Sequence, residues 1–370
     1  MHVSSLVLHN FRSYVDVTLR FTPGVSILIG PNGMGKTNVV EALGYLTNLD
    51  SHRVSGITPL IHSGEESASI NARIEHEVRS IDLSLTLNLE GQNTARINDS
   101  PTKKVREIVG IVFSVIFAPE DLELVKGDPG ARRKFLDEAI ANLTPSYLSY
   151  KTDYERILKQ RNALLKTLNT RATKDNLETL STWSEMLAEA GQHLMKQRAA
   201  YIEKITGIAR DIYDELSNNR GPFRVVYEPN VSFSNDDNVK SLLIEQMSNY
   251  QKQEIERGTS LFGPHRDEVG LYLDELPMRG YASQGESWSA ALSLKMSHYT
   301  LLKASLNVGD PILILDDVFS ELDEFRRNKL VELVKDNEQT LITAAVLADV
   351  PSELTGSVYR VEKGKVHHDE

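Results

Sequence analysis

An α/β fold built round a phosphate-binding loop is the class this 370-residue sequence predicts, and three observations carry it. The run Gly30-Pro31-Asn32-Gly33-Met34-Gly35-Lys36-Thr37 satisfies G-x-x-x-x-G-K-[ST] in full. It lies between a short apolar run, Val25–Ile29, and a segment from Asn38 to Leu46 whose apolar residues recur at helical spacing, so it has the strand–loop–helix context the pattern needs. Far downstream a second apolar run, Ile312–Leu315, ends in Asp316-Asp317, and ligand and metal residues gather at the carboxyl ends of parallel strands.

The loop's chemistry follows from its residue types. Glycines let the backbone curl round an anion without a side chain in the way. The loop N–H groups and the helix N-terminus then face phosphate oxygens. Lys36 is placed for β- and γ-phosphates and Thr37 for Mg2+. Gly30, Pro31, Asn32, Gly33, Met34, Gly35, Lys36, Thr37 and Asn38 are therefore the expected nucleotide contacts. Asp316 is expected to hold Mg2+ with Thr37, directly or through water. Asp317 is expected to orient or deprotonate the attacking water, which makes it, with Lys36, a catalytic candidate.

Composition bounds the rest. The chain is 40% hydrophobic and 25% charged, with no apolar run long enough to span a bilayer and no signal peptide, so a cytoplasmic protein is expected. It has 0 cysteines, which excludes disulfides, thiol catalysis and cysteine zinc sites. A formal net charge of -11 means that any nucleic-acid surface must be a local basic patch. Lys103-Lys104-Val-Arg106 and Arg132-Arg133-Lys134 are the candidates, each against the plainer reading of a solvated face.

In chain order, Val3–Leu8 and Val15–Phe21 alternate as two strands joined by Asn10-Phe-Arg-Ser-Tyr14. Ile70–Ile74 and Ile81–Leu89 alternate again, and 111–117 reads as a buried strand. A Gly/Pro turn then leads into Arg132–Asp137 at a helix start. From about 146 to 218, apolar residues at steps of three and four predict two long antiparallel helices, with a polar break at Asn169–Asp175. They read as a helical lobe with its own core. Short strands at Phe223–Tyr227, Val231–Phe233 and Leu271–Leu273 flank a helix over Leu242–Ile255. Tyr281-Ala-Ser-Gln-Gly-Glu286 opens another long helix, with Ser283 placed to cap it. A serine hydroxyl plus free N–H groups at a helix start is also a second phosphate-binding device. Leu341–Ala345 is a further buried strand, and Val358–Val366 a closing hairpin. The expected division is 1–110 as the N-terminal part of the core, 111–220 as the inserted helical lobe, and 221–370 as the C-terminal part of the core.

Together, Gly30–Thr37, Ser283-Gln-Gly-Glu286, Leu315-Asp-Asp317 and Ser320-Glu-Leu-Asp323 resemble the Walker A, signature, Walker B and D-loop elements of an ABC-type ATPase head. The wide spacing of the first two, with a helical insertion between, is similar to the SMC and RecF branch. Asn10–Tyr14, Phe117-Ala-Pro-Glu-Asp-Leu with Arg132–Asp137, Gly263-Pro-His-Arg-Asp267 and Tyr281–Gly285 are similar to the RecF family, and the resemblance covers essentially the whole chain. It implies a DNA-repair ATPase of the recombination-mediator pathway that binds ATP, Mg2+ and DNA, both duplex and gap junctions, and dimerises on ATP. It implies action with RecO and RecR proteins to promote RecA loading at gaps, replication-fork maintenance, SOS induction and a place at the nucleoid. By the same resemblance Ser283, Gly285, Glu286 and Asp323 contact nucleotide across the dimer, Ser283 joins the catalytic set, and Arg12 joins the nucleotide contacts.

Two departures from transporter-type heads point to slow hydrolysis used as a switch. Thr343-Ala-Ala345 lacks the histidine that follows the strand after Walker B, and Pro119-Glu120 stands where a Q-loop glutamine is expected. Competing classes are an SMC-like structural head, disfavoured by the short insertion, and a kinase or GTPase, disfavoured by the Ser-x-Gly-Glu helix. A third is an interaction ATPase without DNA contact, which salt-dependent DNA binding separates.

Overall fold

The computed structural model describes residues 1–76, 79–170, 173–217, 221–234 and 236–369. Two compact units are woven from alternating segments, Met1–Lys126, Ile208–Pro222 and Tyr281–Glu370 in the first, Gly127–Gly207 and Phe223–Gly280 in the second. The sequence places the lobe at 111–220, so the observed units divide the chain differently. The physical reason is pairing. Residues 114–117 ladder with 312–315 in the first unit, and 223–228 ladder with 268–273 in the second.

The first unit opens with β1 (His2–Phe11), β2 (Tyr14–Arg20), β3 (Gly24–Ile29) and α1 (Lys36–Asn48). It continues through β4 (Ser67–Glu75), β5 (Ser80–Asn88), β6 (Thr94–Ile97), β7 (Ser100–Pro101), β8 (Ser114–Phe117) and α2 (Glu123–Lys126). Six strands form an antiparallel sheet in the order β2-β1-β4-β5-β6-β7. Its strands alternate buried and exposed residues, as in Ile81, Leu83, Leu85 and Leu87, so one face meets the core. The expected strand over 111–117 is shortened. Gly110 takes φ 90 and the Ile111 amide turns back to Ile108 O at 3.3 Å, which leaves only Ser114–Phe117 for the ladder.

The second unit holds α3 (Pro129–Leu143), α4 (Tyr147–Thr170), α5 (Lys174–Ser217, whose last turns belong to the first unit), β9 (Phe223–Glu228), α6 (Val239–Asn249), α7 (Gln251–Arg257), β10 (Glu268–Leu273) and β11 (Leu276–Pro277). Contacts run up α4 and down α5: Tyr150 stacks on His193, Tyr154 lies against Gly191, Arg161 donates to Ser184, and Leu165 and Leu168 pack with Leu180. That is the antiparallel pair the periodicity predicts. Of the polar break between them, residues 171 and 172 lie outside the described residues.

Two smaller expectations are corrected. Val231–Phe233 forms no strand; the chain leaves β9 at Glu228, and the Asn230 amide just before this segment donates to Asp267 Oδ1 at 2.9 Å. The helix over 242–255 is two helices, broken at Tyr250 (φ -107, ψ 14), after which α7 presents the buried Glu254 to Arg161 at 2.6 Å.

The Gly263–Asp267 motif is a structural knot of this unit. Arg198, 3% exposed, donates to Asp137 Oδ1 (2.8 Å), Pro264 O (2.6 Å) and Asp267 Oδ2 (3.4 Å), and Tyr227 OH also donates to Asp267. His265 is held neutral. Its Nδ1 accepts from Tyr154 OH at 2.6 Å, which leaves Nε2–H to donate to Ser260 O at 3.2 Å. Burial pushes its pKa down to about 4. A depressed histidine gives stability that is present above its unfolded pKa and lost as pH falls. Acid unfolding should therefore draw on His265 between pH 6.5 and about 4, by about 3 kcal/mol in all. His265→Gln should flatten the fall in stability across that window in pH-resolved melting. An unchanged slope would mean that His265 titrates alike in both states.

The first unit's central sheet is completed by α8 (Gln284–Ser305), β12 (Ile312–Asp316), α9 (Val318–Glu321), α10 (Glu324–Val334), β13 (Gln339–Ala344), β14 (Gly356–Glu362) and β15 (Lys365–Asp369). Its order is β15-β14-β3-β13-β12-β8, parallel except for β15. Every residue of β12 and β13 is buried, as strands covered on both faces are. The register pairs Ala344 with Ile29 and Asp316 with Thr343. The ends of β3, β13 and β12 therefore align, two strand spacings or roughly 10 Å across. Among the described residues, no helix is long and apolar enough to cross a membrane.

Candidate functional site

At that aligned edge β3 delivers the loop and α1 receives it. Gly30 passes under the Val361 carbonyl, and a Cβ there would stand 2.3 Å from its oxygen. Gly35 takes φ 114, and a Cβ on it would meet the Tyr14 hydroxyl at 2.8 Å. Tyr14 OH donates to Gly35 O at 3.1 Å, and Asn38 Nδ2 donates to Ser13 Oγ at 2.9 Å. The Asn10–Tyr14 turn thus clamps the loop from one side, with Asn10 and Arg12 in the left-handed region. Behind the loop, the Gly30 amide donates to Ala344 O, and Met34 O accepts from the Gly364 amide.

Lys36, 3% exposed, lies along the loop and donates to Gly30 O at 2.8 Å and Asn32 Oδ1 at 3.3 Å. Thr37 Oγ1 donates to Asp316 Oδ1 at 3.0 Å, and Thr343 Oγ1 donates to the same oxygen at 2.5 Å. Burial pushes the Asp316 pKa up to about 6; the two hydroxyls oppose this, while Asp317 and Glu120 add to it. A divalent cation at Asp316 would restore its charged form. Among the described residues no cluster of three or more His, Cys, Asp or Glu side chains is gathered for a metal. The Thr37 hydroxyl and Asp316 carboxylate nevertheless fit Mg2+, which takes few protein oxygens and fills its shell with water and phosphate.

Asp317 follows in the left-handed region (φ 51), its amide donating to Thr343 Oγ1 at 3.0 Å. This bend puts Asp317 on the wall of a cleft of about 840 Å³ that is shared with Asn32, Gly33, Lys36, Thr37 and Arg12. Arg12 is a wall residue with its guanidinium already engaged. It makes a fork to Glu41 at 2.8 and 2.5 Å and donates to Pro59 O at 2.9 Å.

The structure brings Gly30–Asn38, Arg12, Asp316 and Asp317 together, and it puts the other predicted residues elsewhere. Ser283, Gly285, Glu286 and Asp323 do not line that cleft. Ser283 caps α8 in a reciprocal box, its amide donating to Glu286 Oε2 at 2.8 Å and its hydroxyl accepting from the Glu286 amide at 3.3 Å. Asp323 caps α10, accepting from the Arg326 amide at 2.9 Å.

Sequence reasoning missed several neighbours. Glu41, fully buried and also bound by Ser51 Oγ, was visible as an acid inside the apolar run Val39–Leu43 that needed a partner. Thr343 stands at Asp316 in the segment without a histidine, while His52 Nε2 approaches Asp316 Oδ2 at 4.0 Å from the loop after α1. No local pattern marks His52.

Comparison with known proteins agrees with this geometry. The model of the RecF/RecN/SMC N terminal domain family matches residues 2–364. The DNA replication and repair protein RecF of Streptomyces avermitilis is 47% identical over 99% of each chain, and that of Beutenbergia cavernae is 41% identical over 99% of each. The solved structure of the recombination mediator protein RecF-ATPrS in the RecFOR pathway is 28% identical with a TM-score of 0.91, covering 100% of this chain and 98% of that one. An Smc head bound to the C-winged helix domain of ScpA, at 17% identity and a TM-score of 0.55, shares the fold alone. With a full-length family match on an ATPase-head fold, the chain belongs to the RecF family of DNA replication and repair proteins.

Proposed function

We propose that the chain binds ATP with Mg2+ in the Lys36–Asp317 cleft, pairs with a second copy on ATP, binds DNA as that dimer, and hydrolyses ATP slowly to release it. One observation carries the reading: the capped Ser283 helix start, the second candidate phosphate-binding device, does not line the cleft of the Lys36 loop in the same chain. A second copy can supply it. Only a ligand that binds the dimer better than the monomer shifts the equilibrium. A γ-phosphate touched from both chains makes that difference, and ADP lacks it.

In this reading the loop amides and Lys36 hold the phosphates, and Thr37 with Asp316 hold Mg2+, which screens phosphate charge when bound. Asp317 positions the attacking water. Ser283, Gly285, Glu286 and Asp323 act in the partner's site, and Arg12 shapes the nucleotide wall. The absence of a histidine at 343–345, with Glu120 in place of a glutamine, supports slow turnover. The relative described as a recombination mediator in the RecFOR pathway supports action with RecO and RecR proteins; promotion of RecA loading at gaps on cytoplasmic DNA, with SOS induction downstream, is part of the same proposal.

Burial favours one of the two basic clusters as the proposed DNA surface. Arg132 is 6% exposed and forked onto Glu268 at 2.8 Å, and Arg133 donates to Asp267 O, so these two arginines are engaged within the second unit while Lys134 is exposed. Lys103 and Lys104 are exposed beside Arg106 at the β6–β7 end of the antiparallel sheet. Removing those three charges should weaken DNA binding for all sequences alike and reduce the salt slope by about one unit per lost phosphate contact. The test is DNA binding across salt, with ATP and with ADP, read beside sedimentation. Equal DNA binding and equal mass with either nucleotide would overturn the ATP-dependent dimer. An unchanged slope in the triple variant would remove 103–106 from the DNA site.

A further inference from the structure

The start of α8 and the turn before α10 are joined by one side chain. Arg326, with its side chain 13% exposed, donates through Nε to Ser289 Oγ at 2.9 Å and through Nη1 to Asp323 Oδ2. Ser289 Oγ passes the bond on to Leu216 O at 3.2 Å. The guanidinium also lies against Gly285: a Cβ there would stand 2.9 to 3.1 Å from Nη2, Cζ and Nη1. Gly285 has no left-handed φ, so its small size is needed for this packing and not for the backbone.

A positive charge beside a helix N-terminus is unfavourable by itself. The Asp323 carboxylate offsets it, and the planar fork reaches both helices at once, which a lysine's single ammonium does not.

We propose that Arg326 is a positioning residue that fixes the Ser283–Glu286 helix start and the Ser320–Asp323 turn as one rigid face, and that ATP-driven pairing of two chains depends on it. The inference rests on the ATP-dependent dimer of the preceding section. A face that must meet a partner's nucleotide at two points gains affinity when its two halves are already held in register, because less freedom is lost on pairing. Arg326 lies outside the Lys36 cleft, so nucleotide binding to the single chain does not depend on it.

The test uses the full chain with Arg326→Ala, Arg326→Lys, Gly285→Ala and the double variant Gly285→Ala/Arg326→Ala. Each is measured for binding of labelled ATP at concentrations where the chain is monomeric, for dimerisation with ATP by sedimentation, and for melting without nucleotide. Arg326→Ala and Arg326→Lys should both weaken dimerisation about tenfold or more, which is about 1.4 kcal/mol, while monomer ATP affinity stays within twofold. Gly285→Ala should weaken dimerisation more in the parent than in the Arg326→Ala background, because the collision with the guanidinium is gone there and only its own place at the partner's nucleotide is left. The inference is overturned if Arg326→Ala dimerises like the parent, if Arg326→Lys is fully restored, or if Gly285→Ala costs the same in both backgrounds. It is also overturned if the loss follows a general fall in melting temperature. A parent chain that stays monomeric with ATP overturns the dimer itself and this inference with it. A parent that pairs while the variants pair equally well overturns this inference alone.

Discussion

Lys36→Met is expected to lower ATP affinity by about two orders of magnitude and leave the folded chain intact. The lysine amine sits inside the loop with Gly30 O and Asn32 Oδ1 as partners. These weak neutral acceptors are ones that a phosphate oxygen can replace at little cost. A charge-assisted hydrogen bond to phosphate contributes roughly 1.5–3 kcal/mol, so its loss alone accounts for about 10- to 150-fold. Methionine matches the length of the stem and fills the same buried volume, which limits the effect on folding. Lys36→Arg is a different change: the guanidinium is bulkier and planar where the ammonium reaches Gly30 O, Pro31 O and Asn32 Oδ1, so ATP binding is expected to survive and the switch to fail. Titration of both variants with a fluorescent ATP analogue, beside a melting curve without nucleotide, separates binding from folding. An affinity in Lys36→Met equal to that of the parent would show that the loop is not the phosphate seat.

What was legible in the sequence is what the chain encodes locally. Gly30–Thr37 carries its own strand, loop and helix signals within a few residues, and Ile312–Asp317 announces a buried strand with carboxylates at its end. Ser283 and Glu286 form a capping box that four residues suffice to specify. The antiparallel pair of α4 and α5 follows from periodicity alone. The rest depends on partners far along the chain. Arg132 reads as a surface cation until Glu268, 136 residues away, buries it. The division into units could not be read because 223–228 and 268–273 choose each other, and 114–117 chooses 312–315, through ladder hydrogen bonds that leave no mark in composition. The setting of Asp316 was half visible. Thr37 could be paired with it by motif, but Thr343 was noticed only for the histidine it is not. The fold turns that threonine into a second hydroxyl on the same carboxylate oxygen, which also supports the Asp317 amide.

Asp317→Asn should leave ATP binding intact and slow hydrolysis by about 10²- to 10⁴-fold, the range by which one positioned acid–base group speeds a reaction. The substitution suits the backbone. Asp317 sits at φ 51, ψ 18, a left-handed conformation that asparagine tolerates at least as well as aspartate. The amide bond to Thr343 Oγ1 is made by the backbone and survives the change. What is lost is the carboxylate facing the cleft, and with it the group that holds and deprotonates water opposite the γ-phosphate. A second consequence follows from charge. Asp317 is one of the groups that raise the Asp316 pKa, so the neutral variant leaves Asp316 more readily ionised and Mg2+ no worse held. ATP affinity should therefore stay equal or rise slightly, and the ATP-bound dimer should outlive that of the parent by the same factor as the loss in hydrolysis. Single-turnover hydrolysis, read together with dimer lifetime after dilution, makes the distinction. A variant that hydrolyses at the parent rate would place the water-positioning role on another group, with Glu120 next to be tested. A variant that loses ATP binding would mean that Asp317 holds the nucleotide and not the water.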